Sequence, residues 1–189
     1  FYLLEPPTTG RMFNGVNVQT VEEFRRLIEE NNTLDGVGTV EVHAGDYVYV
    51  TGGTLHAAAA GSLSFEIEEN CDSTYRFYDF NRLDKNGNKR PLQVEKALAS
   101  LKPELKSEVS ALEPNSPRRE RMYELTLVKN RDIYACEGEM FGFVVLLSGE
   151  TEIDGLRIKP GTSVLMEPGD VIAVKNCTAM VAKPIPYAF

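Results

Sequence analysis

The spacing of apolar and polar residues predicts helices at two places in the first hundred residues. Thr20 and Glu23 have the spacing of a capping box, and an apolar stripe at helical spacing follows them, which predicts an amphipathic helix over residues 20–31. A turn-forming stretch at 84–88 precedes a second helical pattern over 92–101, which Pro103 would end soon after. The remaining periodic segments follow a different period.

Alternation with a period of two predicts β-strands over most of the other segments. In the first half this pattern is found at 47–50 and 63–67, with glycine-containing turns between the segments. From residue 123 onward the pattern is almost entirely strand and turn, with strands predicted at 125–128, 143–147, 164–166 and 171–174. The sequence therefore predicts a mainly β fold.

A weak internal repeat relates the two halves of the chain. In each half two glycines stand eight residues apart and enclose a short apolar strand, Gly45 and Gly53 in the first half and Gly161 and Gly169 in the second. A turn, a short strand and another turn are typical of a small antiparallel barrel or jelly roll. Three residues after the second glycine, the first half has His56 and the second has Ile172, so a candidate ligand is present in the first half only.

The acidic charge balance narrows the classes of function. The chain has 28 acidic and 20 basic side chains and a formal net charge of −8. This balance argues against a general nucleic-acid binder, whose affinity would come largely from neutralising phosphates with lysine and arginine. With 42% hydrophobic and 25% charged residues, the composition is that of an ordinary globular protein, not of a disordered or collagenous chain.

The sequence also argues against membrane insertion and secretion. No apolar run approaches the roughly 20 residues needed to cross a bilayer, and the first charge, Glu5, follows only four apolar residues. Cys71, Cys136 and Cys177 are odd in number and far apart, which fits neither a disulfide framework nor a CxxC metal site. We therefore expect a cytoplasmic location and no membrane partner.

The two histidines have different contexts. His43 precedes a Gly-Asp turn in a polar stretch, which is typical of an exposed loop residue. His56 follows a turn at the end of a predicted strand, from which its side chain could point into a barrel. A lone histidine is more often a structural residue than a metal ligand, so both interpretations of His56 stay open on these grounds.

Two glutamates follow within a predicted strand. Glu66 and Glu68 alternate with Phe65 and Ile67 and so lie on the opposite face of the strand. If the apolar face packs outward, the carboxylates face the barrel cavity. The alternative, which is commoner in antiparallel sheets, is that they form the solvent side of a half-exposed strand.

A segment dense in aromatic and charged residues covers 71–82 and contains Arg76, ten residues beyond Glu66. A guanidinium binds a phosphate or an enediolate oxygen through its fixed fork of donors, so this cluster could hold an anionic sugar phosphate. The segment could equally contain a structural Arg–Asp pair in a tight corner. The basic residues Arg82, Lys85, Lys89 and Arg90 either line a cavity or belong to a solvated loop.

Several linked motifs in this region resemble the type I mannose-6-phosphate isomerases, particularly the short bacterial form. They are Gly53-Thr54-Leu55-His56-Ala57, the run from Glu66 through Arg76, and Tyr78-Asp79-Phe80-Asn81-Arg82. A looser match extends from Phe1 to about Leu101, and the last 65 residues look like the second cupin half of that family. The resemblance implies a double cupin, mainly β with a few short helices.

The resemblance also implies a division of the chain and a set of functional residues. Residues 1–102 would form the first cupin half with helical insertions, 103–120 a connector, and 121–189 a second, metal-free cupin half. The implied reaction interconverts mannose 6-phosphate and fructose 6-phosphate through a metal-stabilised enediolate, with one bound zinc. His56 would be a zinc ligand, Arg76 the catalytic arginine, and Glu66 an active-site carboxylate that binds substrate.

The departures from the family pattern change what we expect of this chain alone. In the family, further zinc ligands come from a Gln-x-His segment and a Lys-x-Glu-x-Trp segment, and Phe1 aligns with that tryptophan, so we expect a chain that lacks its N-terminal part. With one of four ligands present, we expect the isolated chain to bind zinc weakly or not at all and to be inactive or weakly active. Smaller departures include Gln93, where the family usually has histidine.

Three hypotheses remain at the level of sequence. The first is a sugar-phosphate isomerase of the cupin type, whose partner would be a hexose 6-phosphate and no nucleic acid. The second is a metal-free cupin module that binds a sugar or sugar phosphate without turnover. The third is a purely structural β-domain, and the oligomeric state stays open in all three.

Overall fold

The computed structural model describes residues 1–71, 73–153 and 155–186. Its contacts divide the chain into two compact units, Phe1–Ser110 and Ala111–Phe189, called unit 1 and unit 2 below. Two short strands, Glu108–Ala111 and Arg118–Arg119, lie within the range 103–120 that the sequence analysis treats as a connector. The assignment of 1–102 and 121–189 to two cupin halves stays a prediction.

Helix α1, Val21–Glu29, begins where the capping box predicts. The Thr20 hydroxyl accepts a hydrogen bond from the Glu23 amide at 3.2 Å, and the Glu23 carboxylate accepts one from the Thr20 amide at 3.2 Å. These two bonds satisfy backbone donors that the first helical turn leaves without partners. The Phe24 side chain is buried on the inner face of α1.

Helix α2, Val94–Ser100, lies within the predicted range 92–101 and ends before Pro103. Gln93 is its N-cap residue, although its side chain makes no capping hydrogen bond to the helix. Leu98 is the buried residue of α2. Arg25 of α1 forms a bidentate ion pair with Glu95 of α2, with N–O distances of 2.6 and 2.9 Å. Both side chains are largely exposed, so this pair adds little stability but links the two helices.

The strands of unit 1 form two antiparallel sheets. One has the order β6–β1–β4–β7 and the other has the order β3–β2–β5. Their bounds are Tyr2–Glu5 (β1), Arg11–Val16 (β2), Val37–Glu41 (β3), Asp46–Tyr49 (β4), His56–Ala57 (β5), Leu63–Phe65 (β6) and Glu108–Ala111 (β7). A 3₁₀ turn, Thr33–Gly36, connects α1 to β3.

One predicted strand is shorter than the sequence pattern indicates. Alternation predicts a strand over 63–67, but β6 ends at Phe65 because its ladder with β1 ends at the pair formed by Tyr2 and Phe65. Glu66 and Glu68 therefore follow the strand and do not belong to a sheet face. Both are exposed, and they lie outside the strand on which both sequence alternatives placed them.

Two apolar clusters form the interior of unit 1. The first is called the Leu3 cluster, and its buried members are Leu3, Met12, Val42 and Val48. The second is called the Phe24 cluster, with buried members Val16, Phe24, Leu55 and Leu98. Phe13 and Phe77 pack against the Phe24 cluster while remaining partly exposed. Full burial of one such side chain contributes about 1.5–3 kcal/mol, so the Phe24 cluster is a main support of α1 and α2.

Unit 2 is built from antiparallel strands, and the structure describes no helix between residues 111 and 186, leaving Asp154 aside. Its main sheet has the order β14–β11–β16–β9–β8, with the strand pairs β10–β15 and β12–β13 beside it. The bounds are Arg118–Arg119 (β8), Tyr123–Lys129 (β9), Ile133–Ala135 (β10), Gly142–Ser148 (β11), Thr151–Ile153 (β12), Leu156–Ile158 (β13), Ser163–Met166 (β14), Val171–Ala173 (β15) and Thr178–Pro184 (β16). Cys136 and Cys177 are buried in its core cluster.

The internal repeat seen in the sequence is also present in the backbone. Gly45 and Gly53 flank β4 with φ angles of 91° and 95°, and Gly161 and Gly169 flank β14 with φ angles of 85° and 93°. Residues with a side chain rarely adopt this left-handed region, so the turns at both ends of these strands favour glycine. The repeated glycine spacing therefore reflects a shared turn–strand–turn unit.

The described residues contain no helix that is both long enough and apolar enough to cross a bilayer.

The capping box yields a prediction about stability. Replacing Thr20 with alanine removes one side-chain acceptor at the start of α1, and we expect this to lower the free energy of unfolding by about 1 kcal/mol. A protein of this size should then melt about 2–4 °C lower. Thermal unfolding of the wild type, Thr20→Ala and Thr20→Ser measures the effect. The serine variant keeps the acceptor, so a serine variant as unstable as the alanine variant would contradict this account.

Candidate active site

His56 lies at the start of β5, where the sheet fixes its backbone. Its register partner on β2 is Asn14, and the preceding residue, Leu55, is buried in the Phe24 cluster. The His56 side chain is exposed. Its Nδ1 atom lies 2.9 Å from the Thr54 carbonyl oxygen. A carbonyl oxygen only accepts, so Nδ1 carries the hydrogen and Nε2 of the neutral ring keeps its lone pair available for a ligand.

Phe1 connects His56 with Glu66. The Phe1 and His56 rings lie 6.0 Å apart between centroids, at an interplanar angle of 59°. The Phe1 amino group donates a hydrogen bond to the Val48 carbonyl at 2.9 Å. The antiparallel register pairs Tyr2 with Phe65, so Glu66, which follows Phe65, lies near Phe1. Phe1 is therefore a neighbour of both His56 and Glu66.

The fit of the chain to a catalytic metal is incomplete. Such a site normally has three protein ligands. Within residues 1–71, 73–153 and 155–186, no three histidine, cysteine, aspartate or glutamate side chains lie together as a metal site would require. The described residues thus supply one imidazole nitrogen with an available lone pair but not a complete zinc centre, and the role of His56 as a zinc ligand stays a prediction.

Arg76 lies in an irregular segment between β6 and α2, with an exposed side chain. The next residue, Phe77, packs edge-on against Phe24, with ring centroids 5.3 Å apart. The Arg76 amide donates a hydrogen bond to Gln93 Oε1 at 3.1 Å, and the Gln93 amide donates one to the Arg76 carbonyl at 2.7 Å. An apolar contact and two hydrogen bonds therefore fix the backbone that carries the guanidinium.

A tight turn follows Arg76 and contains a nearly buried carboxylate. Phe80 and Asn81 both have φ angles of 53°, and the Arg82 amide donates a hydrogen bond to the Asp79 carbonyl at 3.0 Å. This backbone directs the Arg82 side chain back onto the Asp79 carboxylate, with which it forms an ion pair. Arg90 lies 3.8 Å from the other carboxylate oxygen. The structural Arg–Asp pair considered from the sequence is therefore present, and it involves Arg82.

The arginines around Asp79 change its titration. The hydrogen bond from Arg82 is the largest influence and lowers the pKa of the Asp79 carboxyl below its ordinary value of 3.8, with smaller contributions from the charges of Arg90 and Arg76. A small cavity of about 50 Å³ adjoins this group and is lined in part by Arg82, Lys89 and Arg90.

Two of the three candidate residues, His56 and Arg76, are connected through their neighbours. Leu55, which precedes His56, and Phe77, which follows Arg76, both belong to the Phe24 cluster or pack against it. Phe13, the register partner of Ala57, also contacts the Phe80 ring, with centroids 5.7 Å apart. Shared packing thus anchors the backbones of His56 and Arg76 on one part of unit 1. The functional roles of His56, Glu66 and Arg76 stay predictions.

Asp79 and Gln93 organise this region. The sequence suggested an Arg–Asp pair without identifying Asp79 as its acid, and it gave no sign of the contact between Gln93 and Arg76. Asp79 accepts the ion pair from Arg82, and Gln93 holds the Arg76 backbone. The sequence signal that could have identified Asp79 is its position as an acidic residue among several arginines. Gln93 stands at the predicted start of a helix, but nothing local shows that it bonds a residue 17 positions away. His43, by contrast, lies in an exposed loop as predicted.

Curated proteins with related sequences match about half of the chain. It is 37% identical over 98 residues to the probable mannose-6-phosphate isomerase GmuF of Bacillus subtilis, 35% identical to the mannose-6-phosphate isomerase ManA of the same species, and 33% identical to the mannose-6-phosphate isomerase of Streptococcus mutans. Each match covers 52% of this chain but only 31% of the relative. The resemblance stated from the sequence is confirmed over that segment. No family model matches the chain.

A solved structure extends the likeness to almost the whole chain. The mannose 6-phosphate isomerase from Bacillus subtilis aligns with a TM-score of 0.71 and 23% identity, covering 96% of this chain and 62% of that one. At this level of identity the likeness shows the fold alone. The prediction of a mainly β double cupin with a few short helices is confirmed.

The Asp79 ion pair yields a prediction about pH dependence. Because the pKa of Asp79 is lowered in the folded protein, its stabilising contribution is present above about pH 4 and is lost as the pH falls through the folded-state pKa. We expect Asp79→Asn to lower the melting temperature at pH 7, and this difference should shrink below pH 4.

The control for this experiment is Arg82→Gln, alone and combined with Asp79→Asn. Because the two residues contact each other, their effects should not add in the double variant. A melting-temperature difference for Asp79→Asn that stays constant from pH 7 to about pH 2.5 would show that the charge of Asp79 does not contribute.

Proposed function

We propose that this chain carries the site of an aldose–ketose isomerase that interconverts mannose 6-phosphate and fructose 6-phosphate. The 98-residue match at 33–37% identity to proteins named mannose-6-phosphate isomerase is the observation on which this proposal rests. The chemistry of His56, Glu66 and Arg76 supports it, since an acceptor nitrogen, a carboxylate and a guanidinium are the groups that this reaction uses.

The reaction transfers a proton between two neighbouring carbons of the sugar through an enediolate. Its catalyst must stabilise negative charge that develops on oxygen, and fixed donors do this better than mobile ones because they need no reorganisation. Arg76 offers several N–H donors in a rigid plane and stays protonated throughout. Its backbone is fixed by Gln93 and by the packing of Phe77. We assign the stabilisation of the enediolate oxygen to Arg76.

Glu66 and His56 lie beside the same residue, Phe1, and have different roles in this proposal. The exposed Glu66 carboxylate accepts hydrogen bonds from sugar hydroxyls and so orients the substrate. His56 presents Nε2 as a ligand, since Thr54 holds Nδ1. A zinc ion would supply Lewis acidity, but the described residues do not complete a centre with three ligands, so every step assigned above belongs to the side chains themselves.

The role of Arg76 is tested by its removal. In the full-length protein, we expect Arg76→Ala to lower kcat for mannose 6-phosphate by at least about 100-fold, the usual effect of losing one preorganised oxyanion donor. Conversion to fructose 6-phosphate measures the rate, and metal content and melting temperature should stay as in the wild type. Arg121→Ala removes an exposed arginine of unit 2 and serves as the matched control.

Two results would contradict this proposal in different ways. An Arg76→Ala variant with the wild-type kcat would remove Arg76 from the mechanism. A full-length wild type that binds mannose 6-phosphate without converting it, even when zinc is supplied, would instead favour the sugar-phosphate-binding module.

The role of His56 is tested by zinc titration. In the full-length protein, we expect His56→Ala to weaken zinc binding by more than about tenfold, because loss of a supporting partner of a ligand already costs about 10–100-fold. His43→Ala is the matched control, since His43 is the other histidine of the chain and is exposed. Calorimetric titration of both variants and the wild type measures the effect. Equal weakening in the two variants, or none in His56→Ala, would contradict the assignment.

A further inference from the structure

Gln93 holds Arg76 through a reciprocal pair of hydrogen bonds. The Arg76 amide donates to Gln93 Oε1 at 3.1 Å, and the Gln93 amide donates to the Arg76 carbonyl at 2.7 Å. The side-chain amide nitrogen of Gln93 donates to the Pro91 carbonyl at 3.5 Å. In a glutamine side chain the oxygen accepts and the NH₂ group donates, so both side-chain contacts fix the same orientation of the Gln93 amide.

Helix α2, which begins directly after Gln93, is held by several contacts within unit 1. Gln93 is the N-cap residue of α2, and Leu98 of this helix is buried in the Phe24 cluster. The ion pair between Glu95 and Arg25 attaches α2 to α1. Lys96 also lies over the ring of Tyr75, the neighbour of Arg76, at 5.7 Å from its centroid. Movement of the Arg76 backbone away from α2 would therefore break several contacts at once.

The segment that carries Arg76 lacks such support of its own. It is irregular between the end of β6 at Phe65 and the start of α2 at Val94, so no continuous helix or sheet ladder sets its dihedral angles. The two bonds to Gln93 satisfy both backbone polar groups of Arg76 and fix the direction in which its side chain leaves the backbone.

We propose that Gln93 is a positioning residue for Arg76, which sets the place of the guanidinium through the Arg76 backbone without touching the substrate. This inference rests on the proposed isomerase function. To hold the Arg76 amide, the Gln93 side chain must supply a hydrogen-bond acceptor, and its size matters less. A misplacement of about 1 Å of a catalytic group can lower a rate by about 100-fold, so loss of the acceptor should lower kcat.

The experiment compares two replacements of similar size. Gln93→Met keeps the length of the side chain but removes the carbonyl acceptor, whereas Gln93→Glu keeps an acceptor oxygen at the same distance from the backbone. Gln19→Met alters an exposed glutamine before α1 and is the matched control. For each variant, kcat and KM for mannose 6-phosphate, the melting temperature, and the hydrogen-exchange rate of the Arg76 amide by NMR are measured.

We expect Gln93→Met to lower kcat about 10–100-fold, with KM within about twofold of the wild type. In this variant the hydrogen of the Arg76 amide should exchange at least about tenfold faster than in the wild type. An interaction that acts mainly in the transition state lowers kcat more than it changes KM. Gln93→Glu and Gln19→Met should resemble the wild type in both respects. A merely structural role would lower the melting temperature of Gln93→Met without this selective loss of kcat.

The proposal is overturned if Gln93→Met keeps both the wild-type kcat and the protection of the Arg76 amide, or if Gln93→Glu loses as much as Gln93→Met. A full-length wild type without isomerase activity counts against the proposed function instead. In that case the exchange rate of the Arg76 amide alone decides whether Gln93 holds Arg76, and unchanged exchange in Gln93→Met would overturn the proposal.

Discussion

The candidate site depends on the packing of the Phe24 cluster, because the segments that carry its side chains have little regular structure. β5 is two residues long, and Arg76 lies in an irregular segment. Burial of Leu55 and packing of Phe77 tie both segments to one apolar cluster, while the adjacent His56 and Arg76 remain exposed. Apolar burial thus fixes the backbone positions of these segments. The exposed polar side chains beside the buried residues are the candidate functional groups.

Ion pairs add a second set of contacts to the segment that apolar packing holds in place. The chain as a whole has a formal net charge of −8, whereas the arginines around Asp79 form a local group of positive charge. Asp79 engages Arg82 and Arg90 directly, so these two side chains are held in place. The Arg76 backbone, by contrast, is held by Gln93, a neutral residue. Among the residues that the structure describes, none forms a hydrogen bond or ion pair with the Arg76 guanidinium.

The features that the sequence predicts correctly are those with local causes. Capping residues and an apolar stripe set α1, and glycine spacing sets the turns around β4 and β14. The end of β6 could not be predicted in this way, because it depends on the ladder with β1. The pairs formed by Asp79 with Arg82 and by Gln93 with Arg76 arise from a turn geometry and a tertiary contact, respectively. Motif resemblance pointed to Arg76 itself but not to the residues that hold it.

The most direct test of this account is a crystal structure of the protein with a non-isomerisable hexose 6-phosphate analogue bound. The account predicts the sugar on unit 1, with the Arg76 guanidinium within hydrogen-bond distance of the oxygen on C1 or C2 and with Glu66 on a sugar hydroxyl. A sugar bound on unit 2, or on unit 1 with Arg76 directed away from it, would contradict the account.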